Sequence, residues 1–303
     1  MAPPGTTRVS LVLAAAVAAV SLAAIFIRLA AAPGIVVAVG RMVFASVLMA
    51  PLTLRGLART PIRGRSRAFT LAAGVLLGVH FGAWITSLSF TSVAASVTLV
   101  NTVPLWVALF AWLFTGKSPS FSVLIGVVMA VGGAAIIGFG GLGGGTAPLV
   151  GDGLALLGAA AVAGYLLLGR QVQHSGVGLD AYAGAAYALA ALFLAPFPAV
   201  FGFSYVGYGG MTFVWILLLA LVPQLIGHNG INYAVRHLDP TLVSTVILLE
   251  PVGSTLLAFI ILGEVPTALT LIGAAVLLAG VVFTVRSTEP SVPGTVPPEV
   301  LGD

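Results

Sequence analysis

Glu250 stands about ten residues inside a long apolar run and is followed at once by Pro251. An ionisable group at bilayer depth costs ~2.5–3.5 kcal/mol on insertion scales unless it is paired or faces water. Its carboxyl group can therefore anchor a solute, carry a proton, or serve as the fixed partner of an arginine. Arg41, within a second apolar run, raises the same alternatives from the opposite charge. It can bind a carboxylate, carbonyl oxygens or an anionic solute group, and Glu250 is its candidate long-range partner. Arg28 lies near the end of its own run, where a long side chain can reach the interface. His80 and Trp84 are four residues apart and share a helix face. An imidazole there can titrate near neutral pH, or simply donate one hydrogen bond to a neighbouring helix. Asn101, Gln224, His228 and Asn229 are the other polar side chains in apolar surroundings, with Gln224 and His228 again four apart. His228 and Asn229 fall toward the inner end of their run. Tyr165, Tyr182 and Tyr187 can line a pocket or pack. Glu250, Arg41, His80, Trp84, Asn101, Gln224 and His228 are thus the candidates for binding a small-molecule solute or a proton.

The elements that must position them follow from composition. Only 20 of 303 residues are Asp, Glu, Lys or Arg, or 7%. A soluble protein carries about 25%. Hydrophobic types reach 59% and mean hydropathy is +1.16, more apolar surface than a soluble fold of this length hides. The expected class is an all-α polytopic membrane protein. Cysteine is absent, which removes disulfides and thiolate metal sites. The four histidines have no metal-ligand spacing, and no Walker A sequence is present. No metal, cofactor, nucleic-acid partner or catalytic constellation is expected.

Ten runs are long enough to cross ~30 Å of hydrocarbon. They are Val9–Ala30, Ile35–Leu54, Ala68–Leu88, Val93–Phe114, Phe121–Phe139, Asp152–Gly169, Leu179–Phe197, Met211–Tyr233, Thr241–Leu262 and Ala268–Val285. Ten of the twelve basic residues fall in alternate loops and at the two ends, including Arg55, Arg59, Arg63, Arg65 and Arg67 in one loop. The positive-inside rule then places both termini in the cytoplasm.

Residues 92–135 align without a gap to 239–282, an offset of 147, with ten of 44 positions identical. The identities include Pro104/Pro251, Gly116/Gly263, Pro119/Pro266, Gly126/Gly273 and Gly133/Gly280. Five spans per unit invert the second unit in the membrane, an architecture of alternating-access transporters. The expected organisation is a cytoplasmic tail over residues 1–8, a five-helix repeat over 9–139, a glycine-rich outer linker over 140–151, a second repeat over 152–286 and a cytoplasmic tail over 287–303. Gly74, Gly78 and Gly82 form a stripe suited to close helix packing.

The stretch Leu249-Glu250-Pro251-Val252, followed by Leu262-Gly263-Glu264-Val265-Pro266-Thr267, resembles the EamA-type permeases of the drug/metabolite transporter superfamily. A weaker copy runs Asn101-Thr102-Val103-Pro104-Leu105-Trp106, then Gly116-Lys117-Ser118-Pro119. The likeness covers about residues 10–286. Val103 and Lys117 stand where the second copy has Glu250 and Glu264, so a mechanism needing symmetric carboxylates is not supported. The resemblance implies a plasma-membrane exporter of amino acids, other metabolites or toxic compounds, with proton coupling suspected in several members. The expected partners are a small solute, membrane lipid, a coupling proton and a second copy of the chain. A membrane-embedded enzyme and a structural or regulatory membrane protein are the competing classes.

Overall fold

The computed structural model describes residues 6–115, 120–141, 145–237, 243 and 246–287. The described residues build ten apolar helices and no strand: α1 Thr7–Ala30, α2 Gly34–Arg59, α3 Gly64–Ser87, α4 Val93–Val107, α5 Phe121–Ile137, α6 Pro148–His174, α7 Leu179–Val200, α8 Gly210–Ala234, α9 Leu249–Leu262 and α10 Ala268–Thr284. Helices dominate because hydrocarbon leaves every backbone N–H and C=O to be satisfied within the segment. Six of the ten, α1 to α3 and α6 to α8, are long and apolar enough to cross a membrane. The other four are 10–17 residues long as described. The protein is an all-α polytopic membrane protein. Large apolar side chains such as Phe121, Val128, Val131 and Phe139 face outward, which suits a lipid solvent.

The helices approach through small residues, because lipid tails supply little hydrophobic drive for association. The Gly74, Gly78 and Gly82 stripe on α3 lies against Leu189, Phe193 and Leu194 of α7; a Cβ on Gly78 would come within 2.6 Å of the Phe193 ring. On α5, Gly126 faces the backbone of Gly280, and Gly133 faces that of Gly273 on α10. The repeat-related glycines therefore pack against each other. Exchanging the two halves maps this pair of contacts onto itself. The same exchange relates the α1–α8 contact, made at Gly227 and Gly230, to the α3–α6 contact, made at Gly158.

Two helices are interrupted at corresponding places. A turn at Asn101–Thr102 breaks α4, and a turn at Leu248 precedes α9. Pro104 and Pro251 each follow three residues later, where the ring displaces a carbonyl from the preceding turn. Pro223 sits inside a π-helical segment, Ala220–His228, that widens α8. Gly263 ends α9 with φ 67, a conformation that L side chains rarely adopt. Gly116 and Pro119 lie outside the described residues.

Candidate functional site

Arg41 on α2 is 0% exposed, and so is Gln224 on α8. The guanidinium donates to Gln224 Oε1 twice, from Nε at 2.8 Å and from Nη2 at 2.6 Å. This fork fixes the amide orientation: the oxygen faces Arg41, and Nε2 has no hydrogen-bond partner among the described residues. Arg41 Nη1 has no hydrogen-bond partner among the described residues. Arg41 Cζ lies 4.0 Å from the Phe81 ring centroid and 6.0 Å from that of Trp84, so an aromatic face carries part of the charge stabilisation. Among the described residues Glu250, the candidate partner of Arg41, is not within ion-pair distance of it. The π segment places Gln224 here, since the extra backbone per turn rotates the following side chains relative to an α-helix.

His80 donates from Nδ1 to the Gly158 carbonyl at 2.9 Å. That leaves Nε2 of the neutral ring as an acceptor. Its ring stacks on Trp84 at 5.9 Å and meets the His228 ring edge-on at 6.4 Å. His228 also sits 5.5 Å from Phe81, so it belongs to the centre of the cluster rather than to its margin. Asn229 accepts from the Tyr187 hydroxyl at 2.7 Å. Tyr165 and Tyr182 stack on each other at 5.8 Å, and the Tyr182 hydroxyl donates to the Tyr165 carbonyl. They pack beside the cluster.

Glu250 and Asn101 meet where α4 and α9 are interrupted. Asn101 Nδ2 donates to the Val97 carbonyl at 2.9 Å and reaches Glu250 Oε2 at 3.4 Å. The second contact is long for a hydrogen bond and leaves the carboxylate with spare acceptor capacity. Glu250 remains within electrostatic reach of Arg41. The structure thus gathers Arg41, Gln224, His80, His228 and Trp84 into one polar and aromatic cluster. Asn101 and Glu250 form a second pair, coupled to it through charge.

A further network lies at the end of the bundle that the charge pattern assigns outside. Arg28 Nη2 is 3.6 Å from Glu264 Oε2 and donates to the Thr91 carbonyl at 3.0 Å. Glu264 Oε1 accepts the Val93 N–H at 2.7 Å, which caps α4. The Thr91 hydroxyl donates to Asp152 Oδ1 at 2.8 Å. Arg28 is therefore held rather than left to reach for the interface. Reading the sequence overlooked Phe81, Thr91, Asp152 and Gly158. One signal was available for the paired histidines: His80 and His228 are 148 apart, one residue from the repeat offset. Among the described residues no group of three His, Cys, Asp or Glu could hold a metal ion.

The EamA-like transporter family matches residues 7–139 and 149–286. A curated relative from Streptantibioticus cattleyicolor, named a probable terminal-alkyne amino-acid exporter, is 30% identical over 203 residues, covering 65% of this chain and 67% of its own. An Archaeoglobus fulgidus protein named an uncharacterized transporter is 28% identical over 206 residues, covering 65% and 68%. A solved crystal structure is similar in fold, with a TM-score of 0.62 at 20% identity over 92% of this chain and 96% of that one.

Proposed function

The chain belongs to the EamA-like transporter family, and we propose that it is a secondary transporter that exports a small, amino-acid-like metabolite by alternating access. The observation that carries this reading is the buried Arg41–Gln224 contact, which joins α2 to α8 in an otherwise apolar bundle. A buried charge held by a neutral amide and aromatic faces is expensive to maintain, and such groups mark solute or ion pathways. The exporter named among its relatives supports an amino-acid-like solute.

All ten helices span the plasma membrane in this proposal, as two inverted units over residues 9–139 and 152–286 joined by an outer linker over 140–151. Both tails, residues 1–8 and 287–303, are cytoplasmic. Supporting the inversion are the two stretches of family match, the interruptions at Asn101 and Leu248, and the self-mapping contacts of Gly126, Gly133, Gly273 and Gly280. Arg41, Gln224, His80, His228 and Trp84 bind the solute when the halves separate. Glu250, steadied by Asn101, is the carrier of a coupling proton. Association of two copies belongs to the same proposal. Counterflow of labelled amino acids and related metabolites in proteoliposomes tests it. Saturable, counterflow-stimulated uptake is expected; a well-folded protein that moves none of them across a broad panel refutes it.

A further inference from the structure

Four buried side-chain polar atoms lack a hydrogen-bond partner among the described residues: Arg41 Nη1, Trp84 Nε1, Gln224 Nε2 and Asp152 Oδ2. Three are N–H donors, and those three belong to one cluster. Gln224 is bonded to Arg41, and the Trp84 ring centroid is 6.0 Å from Arg41 Cζ. Buried donors normally find acceptors. Here the only protein oxygen hydrogen-bonded to the guanidinium among the described residues is the neutral Gln224 Oε1. An arginine retained only as half of a fixed ion pair would hold a carboxylate. Glu250 instead contacts Asn101, and no carboxylate lies within ion-pair distance of Arg41 among the described residues. The cluster therefore has a positive charge, surplus donors and, among the described residues, no carboxylate within ion-pair distance; Glu250 acts on it only from farther away.

We propose that Arg41, together with Gln224 Nε2 and Trp84 Nε1, forms the docking site for a carboxylate group on the transported solute. The inference rests on the transporter reading above. A planar carboxylate offers two oxygens to a planar guanidinium, and charge-assisted bonds of this kind are short and directional. A single negative charge balances the single arginine. A phosphate dianion would carry one more negative charge than the guanidinium balances, and a cationic solute would meet Arg41 directly. The Phe81 ring, 4.0 Å from Arg41 Cζ, gives the site an apolar wall.

The test uses the full chain in lipid nanodiscs. The probes are carboxylic acids of about three to ten carbons, each paired with its methyl ester and its primary-amine isostere. Ligand-dependent thermal shift gives relative affinities. The best acid should bind at least roughly tenfold more tightly than its ester or amine. Arg41→Gln should abolish that preference, and Arg41→Lys should weaken it by several fold while keeping the charge. Esters or amines that bind as well as acids overturn the proposal, as does a panel in which no acid binds. If Arg41→Gln fails to fold, the parent-protein panel decides alone. Acid binding without counterflow would leave the carboxylate site standing and remove the transport role. Saturable flux of solutes lacking a carboxylate, indifferent to every acid, would do the reverse.

Discussion

Replacing Gln224 by glutamate puts a carboxylate where an amide oxygen now accepts from Arg41 at 2.8 and 2.6 Å. The side chain keeps its length, so the fork geometry survives. Hydrogen bonds to charged groups contribute about 1.5–3 kcal/mol, against about 1 for neutral ones. Two such contacts strengthen together, and part of the gain is lost in desolvating the new carboxylate. The net expectation is a stabilisation of about 1–3 kcal/mol. At roughly 2–4 °C per kcal/mol for a chain of this order, Tm should rise by several degrees. The same substitution fills the site. An incoming anion must displace an internal one that is held about 1–3 kcal/mol more tightly, a loss of about one to two powers of ten in apparent affinity. Thermal unfolding in detergent and counterflow in proteoliposomes read the two effects separately. A Gln224→Glu protein that melts lower than the parent and transports normally would refute the reasoning, because Arg41 would then not be short of a counter-charge.

Helix contact on α5 offers an internal control: Gly133→Leu should cost about 1–3 kcal/mol and reduce folded yield, since even a Cβ meets the backbone of Gly273 and Leu277, whereas Gly132→Ala meets nothing within 4 Å and should be neutral. Glu264→Gln should shift Tm little, because its ion pair with Arg28 is 24–34% exposed and worth about 0–1 kcal/mol. It should nevertheless raise the labelling of a cysteine placed at Ser89, if the Arg28–Thr91–Glu264 network closes that end of the bundle. Glu250→Gln should fold normally, given its single 3.4 Å hydrogen-bond contact among the described residues, yet lose flux or the pH dependence of flux; unchanged transport at every pH would remove Glu250 from the mechanism. Because the chain has no cysteine, single-cysteine labelling also tests orientation: Tyr205→Cys should react from outside and Ser66→Cys from inside, and the opposite result would invert the topology.

Much of the fold was legible because membrane constraints act locally. A charge content of 7% and long apolar runs leave helices as the only economical secondary structure for this chain, and the helices form where those runs lie. The glycines and prolines of the repeat were visible for the same reason: each marks a backbone requirement at its own position. Their partners were not visible. Gly126 and Gly273, like Gly133 and Gly280, are repeat equivalents in the two units, yet Gly126 faces Gly280 and Gly133 faces Gly273 across one interface. Polar residues in apolar runs were likewise conspicuous, so Arg41, Gln224, His80 and Glu250 could be singled out without coordinates.

What the amino-acid order alone determined is which side chains cannot be left in lipid. Only the tertiary structure decided who meets whom. Arg41 pairs with Gln224, 183 residues away, and not with the carboxylate that simple charge matching would choose. The π-helical segment around Pro223 sets the angle at which Gln224 approaches, and no spacing rule anticipates that extra backbone. His228 reaches His80 and Phe81 because α8 lies within reach of α3, although its place near the end of an apolar run suggested otherwise. The physical reason is that burial preference and periodicity are properties of one helix, whereas partner choice depends on which surfaces fit closely enough for van der Waals contact. In lipid, where apolar side chains gain little from merely leaving the solvent, that fit governs assembly.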